Sequence, residues 1–240
     1  MSLFHFSFRK ETGPENMATD MWLLNRVEQW QGPVFRRYGW LVPQVTFGYG
    51  QKADWVEQET GLSLSSLTRR PTGGGIVRHG KDLTYCLIVP RGSKGAEMAP
   101  MDFYAQVHCR WGEALSEQGI LNNLMPCPEK SKAGIPGDCF NEPVGRDLMD
   151  LDCTKKLGGA AMKRTRQGVL LQGTLDLGSW PGLDHSNLEK RFLSLIASDL
   201  EEEVVANTEW PEDLEVQRKE WTKLYTSLAW NRDRKTTPAI

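Results

Sequence analysis

Three observations predict an α/β protein. Met17, Met21, Leu24 and Val27 recur at helical intervals, and so do Phe103, Val107, Trp111 and Leu115. Strand-like runs lie between such stretches, and the run from Leu83 to Val89 is apolar enough to be buried on both faces. The chain has 240 residues, which is enough for one large domain with a full core.

Taken in order, residues 3–8 alternate loosely and predict an edge strand. Thr12-Gly13-Pro14-Glu15 has the spacing of a capping box with proline in the first turn, so an amphipathic helix is expected over residues 14–30. Gln31-Gly32-Pro33 stops it. Val34–Trp40 and Val45–Tyr49 read as strands, with Pro43 in the turn between them. A short polar helix is expected over residues 53–60, and Leu67 to Arg70 lead into a glycine-rich run.

That run, Arg69-Arg70-Pro71-Thr72-Gly73-Gly74-Gly75-Ile76-Val77-Arg78-His79, is the most informative stretch of the chain. Consecutive glycines enter conformations closed to other residues and bare their backbone N–H groups. With cations beside it, such a loop can hold a ligand's carbonyl, phosphate or alkyl chain.

The buried strand at residues 82–89 follows, then a Gly/Ser-rich loop over residues 91–100. The helix carrying Phe103 to Leu115 ends at Gly119. Residues 122–138 hold three prolines and two glycines and predict an irregular loop ending at Cys139. Arg146 to Asp152 reads as a strand, Lys155 to Met162 as a small-residue segment that permits close packing, and Gly168 to Leu177 as another strand. Ser186 with Glu189 makes a second capping-box candidate, with Leu188, Phe192, Leu195 and Ile196 on the helical face. The last forty residues are charged, and Leu214, Trp221, Leu224 and Tyr225 would dock a helix on the main domain.

Composition narrows the function classes. A net charge of −2 argues against a general nucleic-acid binder. Five cysteines without a C-x-x-C pair argue against a disulfide framework or a zinc site, and suit a reducing cytoplasm. Cys86 and Cys109 sit on apolar faces and are expected to be core thiols. No signal-peptide core and no run approaching a membrane span is visible.

Several stretches together resemble one family, the lipoate- and octanoate-protein ligases and transferases. The arginine–glycine run matches its signature, and Asp82-Leu83-Thr84-Tyr85 the strand after it. Lys156-Leu157-Gly158-Gly159-Ala160-Ala161 is similar to its lysine followed by small residues, and Gln167 to Leu175 to its closing strand. Arg37 to Gln51 fits an early hairpin ending in glutamine. Gly80 departs from the acidic residue usual after the histidine, and Cys86 replaces a common serine.

The resemblance implies a mixed-sheet α/β (α+β) catalytic domain shared with biotin-protein ligases. It divides the chain into a catalytic domain at 1–205, a helical extension at 206–235 and a disordered tail at 236–240. No accessory domain of the kind many ligases carry is visible after about residue 200.

The family uses two chemistries, acyl-adenylate formation from ATP and transfer from a thioester. Cys139-Phe140-Asn141-Glu142-Pro143 resembles the Cys-Phe-x-x-Pro element of octanoyltransferases and amidotransferases that work with the glycine-cleavage H protein. There the matching cysteine is the nucleophile. The shorter acyl-carrier-protein-dependent transferases carry their cysteine in the closing strand, where this chain has Gly168-Val169.

The resemblance therefore implies Cys139 as nucleophile, with Lys156 lowering its pKa or polarising the thioester carbonyl while backbone N–H groups hold the oxyanion. Lys155 and Cys153 are the neighbouring candidates for the two roles. Gly73, Gly74 and Gly75 would line an acyl tunnel, beside Gly158, Gly159 and Ala160. Arg70 would hold a phosphopantetheine or adenylate phosphate, and His79 would orient the loop.

The activity implied is transfer of an octanoyl or lipoyl group to a lysine of a lipoyl carrier domain. The donor would be an acyl carrier protein or a glycine-cleavage H-type carrier. No metal and no cofactor is expected, because thioester exchange is nearly thermoneutral and the final amide lies downhill. An ATP- and Mg-dependent lipoate- or biotin-protein ligase, or a non-catalytic carrier-binding homologue, are the alternatives.

Overall fold

The computed structural model describes residues 2–127, 137–178, 180 and 182–236. Residues 128–136 of the expected loop, and all of the expected tail but Thr236, lie outside the described residues.

Strand β1 (Ser2–Glu11) runs into helix α1 (Gly13–Trp30). Thr12 caps it with the expected box: its hydroxyl takes the Glu15 N–H, and the Glu15 carboxylate takes the Thr12 N–H at 2.9 Å. A cap of this kind contributes about 1 kcal/mol. Then come β2 (Val34–Trp40), β3 (Gln44–Phe47), α2 (Ala53–Thr60), a short 3-10 turn at Leu64–Ser66, and β4 (Leu67–Arg69). Past the glycines lie β5 (Val77–His79), β6 (Asp82–Pro90), the single turn α3 (Lys94–Glu97) and α4 (Pro100–Ser116). Next are β7 (Asn122–Leu124), β8 (Leu148–Asp150), β9 (Lys156–Arg164) and β10 (Gly168–Asp176). The chain closes with α5 (His185–Leu200), β11 (Glu203–Thr208), α6 (Leu214–Gln217), α7 (Lys219–Thr226) and α8 (Leu228–Asp233).

Among the described residues these strands form two mixed sheets. The larger has the order β11-β1-β2-β6-β10-β9-β8-β7, and the smaller is β4-β3-β5. In the larger sheet β1 pairs in parallel with both β11 and β2, and the other neighbours are antiparallel. Strand β6 divides its side chains between two cores. Leu83, Tyr85, Leu87 and Val89 face α4 and α5, where Trp111 and Phe192 stack at 3.8 Å. Cys86 and Ile88 face α1 and the C-terminal helices. Fully burying side chains of this size stabilises by roughly 1.5–3 kcal/mol each.

Several expectations are corrected. β1 is not an edge strand, because β11 covers it. β2 and β3 form no hairpin, because they belong to different sheets. The 91–100 segment contains α3, and the irregular stretch after residue 122 begins with β7. The strand expected from Arg146 is only Leu148–Asp150. The cap of α5 is Asp184, whose carboxylate accepts from the Ser186 and Asn187 N–H groups. Glu189 instead pairs with His5 and Arg37. Cys109 is exposed, whereas Cys86 is buried. Residues 203–208 are a strand, so the 205/206 boundary falls inside β11.

The C-terminal helices are tied to the glycine run. Arg69, 1 % exposed, donates to the carbonyls of Tyr49 and Gln51, both at 2.7 Å, and of Asn231 at 3.0 Å. The Trp230 indole returns a hydrogen bond to the Arg69 carbonyl at 2.9 Å.

Candidate active site

The glycine loop lies between the two sheets and meets the segment that carries Cys139. The Ile76 N–H donates to the Gly137 carbonyl at 2.8 Å, and the Cys139 N–H to the Ile76 carbonyl at 2.9 Å. Gly74 holds φ +86°, and its carbonyl comes so near Gly48 that a Cβ there would lie 1.9 Å away. A Cβ on Gly75 would meet the Gly137 carbonyl oxygen at 2.8 Å and the Cys139 nitrogen at 2.9 Å. Glycine there lets the two backbones touch.

Arg70 is 7 % exposed and points inward. Its guanidinium donates to the Gly73 and Gly75 carbonyls at 2.9 and 2.7 Å and to the Thr46 hydroxyl at 2.8 Å. It braces the loop with donors that were expected to meet a phosphate. The Thr46 hydroxyl also contacts His79 Nε2 at 2.8 Å, while His79 Nδ1 lies 2.7 Å from the Asp82 carboxylate. Burial would raise the Asp82 pKa. The bond and charge of His79, the Thr174 hydroxyl and the Gly80 N–H outweigh burial and hold it well below the usual range. His79 itself is pushed down by burial, against the pull of Asp82. His79 thus bonds Asp82 through Nδ1 and Thr46 through Nε2, so the loop is braced by an unbroken series from Asp82 to Arg70.

Lys156 opens β9, and its ammonium reaches back to Cys139. Nζ donates to the Cys139 carbonyl at 2.8 Å and lies 3.4 Å from Sγ. The Asp147 carboxylate stands 2.8 Å away on the other side. Gly159 makes this possible: a Cβ there would sit 2.6 Å from Nζ and 2.5 Å from Cε. The lysine folds over the space that glycine leaves, which explains the Lys-x-x-Gly spacing. Gly158 packs under Leu175, 2.4 Å from where its Cβ would be. Burial alone would lower the Lys156 pKa, but the charges of Cys139 and Asp147 reverse this and raise it. Lys155 is more exposed and pairs with Asp176 at 3.4 Å. Cys153 sits in a turn at φ 55°, away from the cavity lining.

A narrow cavity, partly open to solvent, is lined in part by Cys139. Met17, Tyr38, Trp40 and Val77 give it apolar walls, and Gly159 and Ala160 form the side toward Lys156. Arg70, Gly74 and His79 line it as well, whereas Gly73, Gly75 and Gly158 do not. The expected tunnel glycines thus divide: Gly74 faces the cavity, and Gly75 supports the cysteine backbone. The N–H groups of Phe140 and Asn141 are taken by the Asp138 carboxylate at 3.0 and 3.2 Å, so these two are not free for an oxyanion.

Sequence reasoning missed Asp147 and Tyr104. The Tyr104 hydroxyl donates to Asp147 Oδ1 at 2.5 Å and accepts the Ala160 N–H at 3.1 Å. No local pattern marks either residue. Beside them His108 is wholly buried and its pKa is pulled down to about 4, chiefly by burial. The unfolded chain takes up this proton near pH 6.5, so stability falls as pH drops from there toward 4. Urea midpoints should therefore show a loss of about 2–3 kcal/mol between pH 7 and 4.5 that is smaller in His108→Asn.

Among the described residues no helix is long and apolar enough to cross a membrane, and no three His, Cys, Asp or Glu gather as metal ligands. Residues 12–181 match the family described as "Lipoyl protein ligase A/B catalytic domain". Two relatives named "Octanoyltransferase LipM", from Halalkalibacterium halodurans and Macrococcus caseolyticus, are 31% and 46% identical over 168 residues. Each match covers 65% of this chain and 59% of the relative, so the chain spans about three fifths of their length. The fold is similar to a lipoate-protein ligase A bound with ATP, with a TM-score of 0.73 at 17% identity over 96% of this chain and 98% of that one. It is also similar to the bi-partite lipoate protein ligase of Thermoplasma acidophilum, with a TM-score of 0.71 at 15% identity over 100% and 99%.

Proposed function

This chain belongs to the lipoyl protein ligase A/B catalytic-domain family, and from that premise we propose that it is an acyltransferase. It carries an octanoyl or lipoyl group as a thioester on Cys139 and delivers it to a lysine of a lipoyl carrier domain. One observation carries the reading: the Lys156 ammonium lies 3.4 Å from a half-buried cysteine that lines an apolar cavity. The names of the relatives support it. The five free cysteines suit a reducing compartment, and the cytoplasm is the setting proposed.

In the first half-reaction the Cys139 thiolate attacks the donor thioester carbonyl. A carbon–sulfur bond forms, and the donor sulfur leaves as a thiolate. Lys156 has three N–H donors. Two hold it on Asp147 and the Cys139 carbonyl, and the third faces Sγ. As Sγ becomes bonded to carbon it loses its charge, and that third donor is released to the developing oxyanion. In the second half-reaction the neutral amine of the acceptor lysine attacks the acyl-enzyme. Cys139 leaves as the thiolate it began as, and the proton that the amine gives up passes to solvent, balancing the one that the departed donor thiolate takes up. No nucleotide enters either step. The donor is an acyl carrier protein or an H-type lipoyl carrier.

The test is incubation with an octanoyl thioester, followed by intact-mass and peptide mapping. A gain of about 126 Da, one octanoyl group in place of a proton, should map to Cys139. An adduct that forms only with free octanoate or lipoate and ATP would overturn the reading in favour of a ligase.

A further inference from the structure

We infer that Asp147 and Tyr104 are positioning residues that aim the Lys156 ammonium at the Cys139 sulfur, and that helix α4 is the frame that holds them. The inference rests on Cys139 being the nucleophile, as proposed above.

The Asp147 side chain is wholly buried, and both of its oxygens are engaged. Oδ2 takes the Lys156 ammonium at 2.8 Å and the Val144 N–H at 2.7 Å. Oδ1 takes the Tyr104 hydroxyl at 2.5 Å. Tyr104 in turn accepts the N–H of Ala160, a cavity-wall residue on β9, the same strand as the lysine it helps to place. A carboxylate fixed from three directions leaves its lysine partner little freedom of its own.

Helix α4 supplies this grip twice, through residues one turn apart. Tyr104 holds the carboxylate, and His108 Nδ1 donates to the carbonyl of Arg146, the preceding residue, at 2.9 Å. The two rings meet edge to face at 4.2 Å. Arg146 is held at φ 71°, in the left-handed region that non-glycine residues seldom adopt. That turn carries the Asp147 side chain inward, toward Lys156. Burial and the adjacent Asp147 charge raise the Tyr104 pKa far above its ordinary value, so Tyr104 stays a neutral donor. A buried carboxylate in an ion pair would by itself be an ordinary structural feature. Here its partner's remaining donor faces a sulfur, and its tyrosine reaches the cavity wall.

The experiment is a double-mutant cycle read at Cys139. Iodoacetamide alkylation of that residue, followed by peptide mapping, reports the reactivity of the thiol without any acyl donor. Asp147→Asn and Tyr104→Phe should each slow alkylation about tenfold in the otherwise natural protein, and change it less than twofold in a Lys156→Met background. In octanoyl loading the same two variants should lower kcat and leave KM within about twofold. Equal losses in both backgrounds, or a loss in KM alone, would mean a structural role and overturn the inference. No loss in either variant would overturn it as well. If alkylation follows the cycle while no octanoyl adduct forms on the natural protein, the acyltransferase reading fails and the positioning of the lysine stands.

Discussion

Cys139→Ala is expected to gain no octanoyl group from a thioester donor and to lose transfer by roughly 10⁴-fold or more, the usual scale for removing a covalent nucleophile. The half-buried thiol is part of no core cluster, so the fold should survive its loss. Its backbone bonds to Ile76 and to Lys156 are made by main-chain atoms and persist in alanine. A thermal midpoint within a few degrees of the parent, together with an unshifted intact mass, is therefore the result expected. Cys153→Ala, changed in parallel, should load normally. An octanoyl adduct that persists in Cys139→Ala would move the nucleophile elsewhere and end the proposed mechanism.

Lys156→Met should cost about 10²- to 10³-fold in loading, because it removes both the cation beside the sulfur and the donor freed to the oxyanion. It should also destabilise the protein, since Asp147 is left as a buried charge without a counter-ion, a loss of about 3–5 kcal/mol. The pair Lys156→Met with Asp147→Asn separates the two effects. Stability should largely return, and activity should not. Loading that recovers with stability would mean that the lysine is only a structural partner.

The sign of the pH dependence follows from the raised Lys156 pKa. Its stabilising pair is fully present below about pH 10.5 and weakens only above that, as the pH passes the folded value. Loss of stability on the acid side must come from other groups, His108 among them.

Much of the fold was legible because its signals are local. The capping box at Thr12 and the helical spacing after it are satisfied within α1 itself. The apolar run of β6 announces a strand covered on both faces, wherever its neighbours come from. What failed depended on distant partners. Glu203–Thr208 lacks a buried apolar run, with Val204 and Val205 each 39% exposed, and becomes a strand because β1, two hundred residues earlier, offers it a parallel edge. Ser186 has the sequence of a cap, but the helix already begins at His185 with Asp184 as its cap, and Glu189 is drawn to Arg37. The segment from Val34 to Phe47 looks like a hairpin, and its two strands are claimed by separate sheets.

By itself the sequence determined the chemical inventory: a cysteine ahead of Phe-x-x-Pro, a lysine followed three residues on by glycine, and three glycines beside two arginines. Tertiary structure alone decided how these meet. It turned Arg70 into a brace for the loop, put Lys156 rather than Lys155 against the sulfur, and brought Asp147 and Tyr104 to that lysine from a turn and a helix with no motif of their own. The reason is physical. Spacing along a chain fixes which residues share a strand or helix face, whereas an ammonium group is aimed by whichever buried acceptors the packed elements deliver around it.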